Sequence, residues 1–282
     1  MTTTTSPTRV PRRFALYLLL LAGCAITLIP FVWTILASFK SHAEIINPTN
    51  QSFFPQQFTT QNYERILNDD SLPLERIYFN SMFVALANVL TQTFTSALFG
   101  YVFAKFNFRF KRLLFWYILA TMMIPFQLTM IPSYLILMRF ELTNNLLGLV
   151  VLSWFSAFGI FLMRQFMGNI PDELLDAARV DGANEWQIFF RIVLPQTGAA
   201  LATYGVLVFI ANWNSYLWPL IVLRDVDLRT LPIILTWYND RHTSNLGLQM
   251  AASVLIVMPI LLVYIVMNRW VVRGFALSGI KG

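Results

Sequence analysis

Five acids and three arginines gather in one stretch of an otherwise very apolar chain. Residues 171–195 read PDELLDAARVDGANEWQIFFRIVLP. They hold Asp172, Glu173, Asp176, Asp181 and Glu185, with Arg179 and Arg191 inside the stretch and Arg164 just ahead of it. No His, Cys or Lys stands among them. Carboxylates and guanidiniums alone make ion pairs and charge-assisted hydrogen bonds. That is the chemistry of gripping a partner, and nothing in the stretch has the make-up of a catalytic set.

The remaining chemistry-bearing residues are sparse. No phosphate-binding loop is present. The nearest approach, Gly274-x4-Gly279-Ile280-Lys281, puts Ile280 where the lysine should follow the glycine. ATP hydrolysis therefore has to come from another subunit. His42 and His242 lie in separate segments without further clustered ligands, so no metal site is expected. No Ser–His–Asp arrangement is suggested, and no catalytic residue is assigned.

Neutral polar residues form two further groups. Asn88, Thr91, Gln92, Thr95 and Ser96 fall on one helical face. Asn212, Asn214, Ser215 and Tyr216 surround Trp213, ahead of Trp218-Pro219. Asn88, Gln92, Asn212, Asn214 and Tyr216 are candidates for a solute path, because amides and rings can bond and stack on a sugar. The competing readings are hydrogen-bonded glue between packed helices and, for the aromatics, an interfacial belt.

These groups must be carried by membrane helices. The chain is 57% apolar and 12% charged, against about 25% charged in soluble domains. Six runs free of Asp, Glu, Lys and Arg approach the ~20 residues that cross a bilayer: Phe14–Ala37, Ile77–Ala104, Leu113–Leu137, Leu146–Met163, Gly198–Leu223 and Leu246–Asn268. The expected fold is an all-α polytopic membrane protein of six transmembrane helices with a cytoplasmic loop at 164–197. Short tails at 1–13 and 271–282 flank the membrane domain at 14–270. Spans without an acid, a base or a histidine disfavour an ion-coupled carrier, which remains the rival reading. Cys24 follows Leu21-Ala22-Gly23 like a lipoprotein cleavage site, yet the apolar run continues to Ala37, as a span does and a signal peptide does not.

Orientation follows from the cations. Arg9, Arg12 and Arg13, then Lys105, Arg109, Lys111 and Arg112, then Arg164, Arg179 and Arg191, then Arg269, Arg273 and Lys281 share one side. The positive-inside rule puts that side, and both termini, in the cytoplasm. The net charge of +6 therefore reports topology, and a nucleic-acid partner is not expected. Within the charged loop, Pro171-Asp172-Glu173 reads as a helix start. Leu174, Leu175, Ala177 and Ala178 recur at helical spacing, and Asp181-Gly182 ends the helix. A second amphipathic helix with Trp186, Phe189, Phe190 and Val193 on one face follows, closed by Pro195. An acidic first helix would be repelled by an anionic leaflet, which favours a protein partner for it.

The run Asp176-Ala177-Ala178-x-x-Asp181-Gly182-Ala183, with Ile192-x-Leu194-Pro195 downstream, resembles the EAA loop of ABC importer permeases. The family's usual first residue is Glu, and Asp176 keeps the charge one methylene shorter. Ser38-Phe39-Lys40 with Asn62-Tyr63, Met123–Gln127, Phe161–Phe166 and Gly274–Gly282 extend the likeness to the maltose-type carbohydrate permeases, the short six-span subunit above all. The resemblance implies that Asp176, Ala177, Ala178, Asp181, Gly182, Ala183 and Pro195 belong to a coupling helix docking on a cytoplasmic ATPase. It further implies a second permease, two ATPase subunits carrying ATP and Mg, a solute-binding protein, a carbohydrate substrate, and no cofactor on this chain. A non-sugar solute is the alternative. The tail at 271–282 is either a solvated end or a further ATPase contact.

Overall fold

The computed structural model describes residues 9–49, 52–241 and 245–279, and among these every regular element is helical. In chain order the helices are α1 (Arg9–Ser38), α2 (His42–Ile46), α3 (Gln61–Leu67), α4 (Leu74–Lys105), α5 (Lys111–Thr121), α6 (Phe126–Arg139), α7 (Gly148–Val151) and α8 (Ala157–Gly168). They continue with α9 (Asp172–Val180), α10 (Glu185–Ile188), α11 (Leu194–Gln196), α12 (Gly198–Trp213), α13 (Leu217–Val222), α14 (Ile234–Arg241) and α15 (Leu246–Gly279). His242, most of the N-terminal tail and the end of the C-terminal tail, including Ile280 and Lys281, lie outside the described residues.

Among the described residues, three helices are long and apolar enough to cross a bilayer, and up to five spans result if each of two bent pairs counts as one. Their backbones satisfy themselves in lipid, which is what permits long exposed apolar faces such as Leu18–Leu21 of α1. The six expected runs are thus not six straight helices. The third breaks by 98° between α5 and α6. Pro125 lacks an N–H, disfavours helix at Ile124, and itself takes an extended ψ of 137° ahead of α6. Pro132 of the same run sits inside the continuous α6.

The fourth run divides into α7 and α8, because Ser156 turns extended and its Oγ caps the Gly159 N–H at 3.2 Å. The fifth interrupts at 214–216 between α12 and α13. Helix extends into both expected tails, with α1 already helical at Arg9 and α15 continuing to Gly279.

Two compact units are distinguishable: Met1–Asp69 with Leu235–Val257, and Asp70–Ile234 with Met258–Gly282. In the first, the amide of buried Asn62 donates to the carbonyls of Ser38 and Lys40, both at 2.8 Å, and so clamps the end of α1. Tyr63 adds a 2.7 Å hydroxyl bond to Ser38, and Phe39 stacks on Phe58. A Cβ on Gly247 would come within 2.8 Å of Asn62 Oδ1, so α15 approaches this clamp without a side chain between them. Asn62→Ala leaves two carbonyls without that donor, at a cost of about 1–3 kcal/mol. The variant should melt at a lower temperature in detergent than the unmodified chain.

The second unit is organised around α4, which packs along α8 and α12. At Gly100 α4 and α8 are in close contact: a Cβ there would lie 2.5 Å from Met163 Cβ and 3.0 Å from the Arg164 backbone nitrogen. Met163, Met167, Tyr101, Leu175, Ile188, Phe189 and Val193 form one buried cluster at this end of the bundle. It is the platform on which the charged loop sits.

Candidate functional site

The charged loop folds as the expected helix–Gly–helix elbow. Asp172 and Glu173 occupy the first turn of α9, where the dipole favours them, and Arg179 lies in its last turn. The chain leaves α9 through Asp181 and reaches Gly182, whose φ of +84° suits glycine. Ala183 N–H then donates to Ala178 O at 2.9 Å and Gly182 N–H to Arg179 O at 3.0 Å, closing the helix end. Asn184 and Gln187 form a reciprocal capping box that starts α10.

Only one large side chain of α9 is buried. Leu175 enters the apolar cluster, and Ala178 and Ala183 lie half-buried against it. Ionic struts complete the mounting. Arg179 donates to Asp176 at 2.7 Å and to Glu185 at 2.8 Å, and Glu185 also accepts from Tyr101 Oη at 2.7 Å. Lys105, at the end of α4, pairs with Asp172 at 2.7 Å and donates to the Ile170 carbonyl. The hydrogen bond from Arg179 holds the Glu185 carboxyl below its ordinary range, against its partial burial, and Tyr101 adds to this. The same carboxylate bonds raise the Arg179 guanidinium. The Lys105 bond lowers Asp172.

The outward face carries Glu173, Asp176, Ala177, Val180, Asp181 and Gly182, all exposed. Val180 is 88% exposed, an apolar tip on an acidic knob, and the sequence reading passed over it. Tyr101 and Lys105 were likewise missed as anchors. Their partners lie 84 and 67 residues away in the chain, and the one available signal was a lysine closing a span opposite an acidic helix start.

The second helix differs from expectation. Trp186, Phe189 and Phe190 lie against one another, Trp186 stacked on Phe190 at 6.1 Å and Phe189 edge-on to Phe190 at 5.1 Å, but burial divides the set: Phe189 and Val193 are buried, while Trp186 and Phe190 are exposed. The regular helix is interrupted ahead of Pro195, which cannot donate to the Arg191 carbonyl. Residues Phe189–Val193 widen into a π-turn, with Leu194 N–H bonded to Phe189 O. Pro195 itself is exposed in the first turn of α11 and does not close the segment, which continues to Gln196 before bending 78° into α12.

Because Glu185 has a lowered pKa, its contribution is complete above the ordinary glutamate range and disappears as pH falls through the lowered value. Glu185→Gln should therefore melt lower than the unmodified chain at pH 7, by less than about 1 kcal/mol for so exposed a pair. The deficit should vanish at acidic pH, which melting curves of both forms at the two pH values will show.

The neutral polar groups separate into two environments. Asn88 is fully buried, donating to Val84 O at 3.0 Å and Leu149 O at 3.4 Å. Gln92 bonds Asn88 at 3.3 Å and accepts from Tyr204 Oη at 3.4 Å. Ser96 donates to the same Tyr204 hydroxyl at 3.5 Å, and Thr95 to the Trp154 carbonyl. This stripe joins α4 to its neighbours. By contrast, Asn212 and Asn214 turn their amides onto Val208 O at 2.9 Å and Ile210 O at 3.0 Å. Asn214 is exposed and Tyr216 half-exposed at the break ahead of α13. Trp218 meets Phe126, the first residue of α6, edge-on at 5.6 Å, so the breaks α5–α6 and α12–α13 adjoin. His42, read as part of no metal set, accepts from Leu246 N–H at 3.2 Å.

Comparison with known proteins gives consistent matches. The family model described as binding-protein-dependent transport system inner membrane component matches residues 96–276. The arabinooligosaccharides transport system permease protein AraQ of Halalkalibacterium halodurans is 32% identical over 258 residues, 91% of this chain and 92% of that one. The sn-glycerol-3-phosphate transport system permease protein UgpE of Agrobacterium fabrum strain C58 is 32% identical over 272 residues, 93% of this chain and 95% of that one. Among solved structures, a chain of a bacterial ABC transporter involved in the import of the acidic polysaccharide alginate superposes with a TM-score of 0.82 at 26% identity, covering 94% of this chain and 99% of that chain.

Proposed function

Because the chain belongs to the family of binding-protein-dependent transport system inner membrane components, we propose that it forms part of the transmembrane pathway of an ABC importer for a carbohydrate or polyol. It is a multi-pass subunit of the cytoplasmic membrane and a transporter subunit without an ATPase site of its own. The observation that carries the mechanism is the α9 elbow. A short helix is fixed to the bundle by Leu175, Lys105 and Tyr101 while its acidic face stays exposed. One of two partner ATPase subunits, which hold ATP and Mg, grips that face, and a second permease completes the pathway. A solute-binding protein delivers the substrate on the opposite side, and both termini lie with the elbow in the cytoplasm.

A docked helix with rigid struts moves as one body with α4 and α8 when the ATPases close. Asp176, Ala177, Asp181 and Gly182 meet the ATPase. Ala178, Ala183 and Pro195 set the elbow's shape from behind. For the solute path, the adjoining breaks at Met122–Pro125 and Asn214–Tyr216 are the favoured walls. Irregular backbone at membrane depth is tolerated where it is covered by protein or lines a watery cavity. Asn214 and Tyr216 would meet the solute there, with Asn212 behind them and Asn88 and Gln92 holding α4 in place. The second break carries the amide of Asn214 and the ring of Tyr216, and neither break holds a Lys or Arg. That suits a neutral sugar better than a phosphorylated polyol of the kind named for UgpE.

Gentle affinity purification from the native membrane, with co-purifying chains identified by mass, tests the assembly. A second permease and an ATPase are expected. Recovery of this chain alone under several detergents would contradict it.

A further inference from the structure

We propose that the cavity at the start of α5 binds the phosphate headgroup of an anionic phospholipid. Its volume is about 730 Å³, and its wall combines Lys111, Arg112 and Arg164 with the rings of Phe108, Phe115 and Trp116. No carboxylate lines it. The acid closest in role, Asp172, is engaged by Lys105 at 2.7 Å. Three cations in one concave wall repel one another, so a matching anion lowers their energy.

The cations are placed for one. Arg164 lies 3.8 Å over the Phe115 ring, and its Nε donates to Phe103 O at 3.2 Å. That fixes the guanidinium plane while its terminal nitrogens enter no hydrogen bond among the described residues. Arg112 forms no ion pair among the described residues either. Phe110, with φ of 65°, turns the chain into α5, whose first turn has no side-chain cap and brings the positive end of a helix dipole to the same place.

A lipid rather than a soluble anion is indicated by what adjoins the cations. Exposed Leu113, Leu114, Trp116 and Tyr117 continue along α5 from the cavity, an acyl-facing surface with rings at headgroup depth. Basic pockets between membrane helices on the inner side are suited to anionic headgroups. The leaflet assignment rests on the inward orientation proposed above for the α4–α5 turn.

The test weighs the purified complex intact by native mass spectrometry, in micelles carrying phosphatidylcholine with a minor share of phosphatidylglycerol. The unmodified complex should retain phosphatidylglycerol selectively. Lys111→Gln and Arg112→Gln should each lower that preference about fivefold, and the double variant should bring it near parity. Arg139→Gln, a cation outside the cavity, should leave it unchanged. Equal retention by the unmodified and double-variant complexes would overturn the assignment. So would full displacement of the lipid by inorganic phosphate, which would identify a soluble anion as the occupant. Orientation is read separately, from Asn107→Cys in a Cys24→Ala background labelled with an impermeant maleimide. Labelling from the cytoplasmic side supports the inner leaflet. Labelling from outside would overturn the orientation, while the micelle experiment still judges the headgroup by itself.

Discussion

Gly182→Val should abolish transport while the associated ATPase keeps turning over. The effect is confined to the backbone. Gly182 has φ of +84°, and a Cβ there meets nothing within 4 Å, so the substitution creates no clash. What it does create is a left-handed residue with a branched side chain, at a cost of roughly 1–2 kcal/mol or more. Relief comes by re-aiming the end of α9, which breaks the Ala183–Ala178 bond and swings Asp181 and Val180 away from their present direction. Since about 1.4 kcal/mol is a factor of ten, uptake should fall at least tenfold. Asn, which visits the left-handed region more readily, should restore most of it at the same position. Asp176→Lys should uncouple for a different reason. It removes one of the two carboxylates bonded to Arg179 and places a cation on an acidic docking face. Uptake and ATP hydrolysis measured side by side on the three variants will check this; normal uptake in both Gly182→Val and Asp176→Lys would remove the elbow from the mechanism.

Gly100→Leu should have the larger effect on the molecule itself. Even a methyl at this position lies 2.5 Å from Met163 Cβ and close to α8 backbone that cannot swing aside. Overpacking a tight interface costs about 1–3 kcal/mol per unrelieved insertion, and here α4 must separate from α8. Separation would pull Tyr101 from Glu185 and Lys105 from Asp172, loosening the elbow from the bundle. The expected result is a sharply reduced amount of chain in the membrane and an aggregated profile on size-exclusion chromatography. Gly168→Leu, where nothing lies within 4 Å, is the matched control and should remain monodisperse.

The elbow was legible in the sequence because its determinants are local. Proline and acids open α9 and a glycine closes it; of the apolar set Leu174, Leu175, Ala177 and Ala178, Leu175 is buried and Ala178 half-buried, while Leu174 and Ala177 are exposed. Asn62 was noticed only as part of a resembling motif, and the structure supplies its reason, two carbonyls at the end of α1. The struts were not legible. Tyr101 and Lys105 look like ordinary span-end residues until α4 is laid against α8 and the elbow returns beneath it. Helix breaks were only half legible. Pro125 and Pro132 have the same local signature, yet one ends a helix and the other sits within one. Runs of apolar residues report length and say nothing of a turn inside it, which is how the fourth run could hide α7 and α8. The second helix was read as regular because the apolar spacing carries no mark of the π-turn at Phe189–Val193.

The central claim is that ATP hydrolysed by a partner drives solute through a pathway this chain helps to form. Its most direct test is uptake of labelled oligosaccharide into proteoliposomes containing the co-purified complex, with ATP enclosed and the binding protein added outside. The account predicts uptake that requires both ATP and binding protein and persists when ionophores collapse the proton and sodium gradients. Uptake that proceeds without ATP and stops with the ionophores would contradict it and establish an ion-coupled carrier.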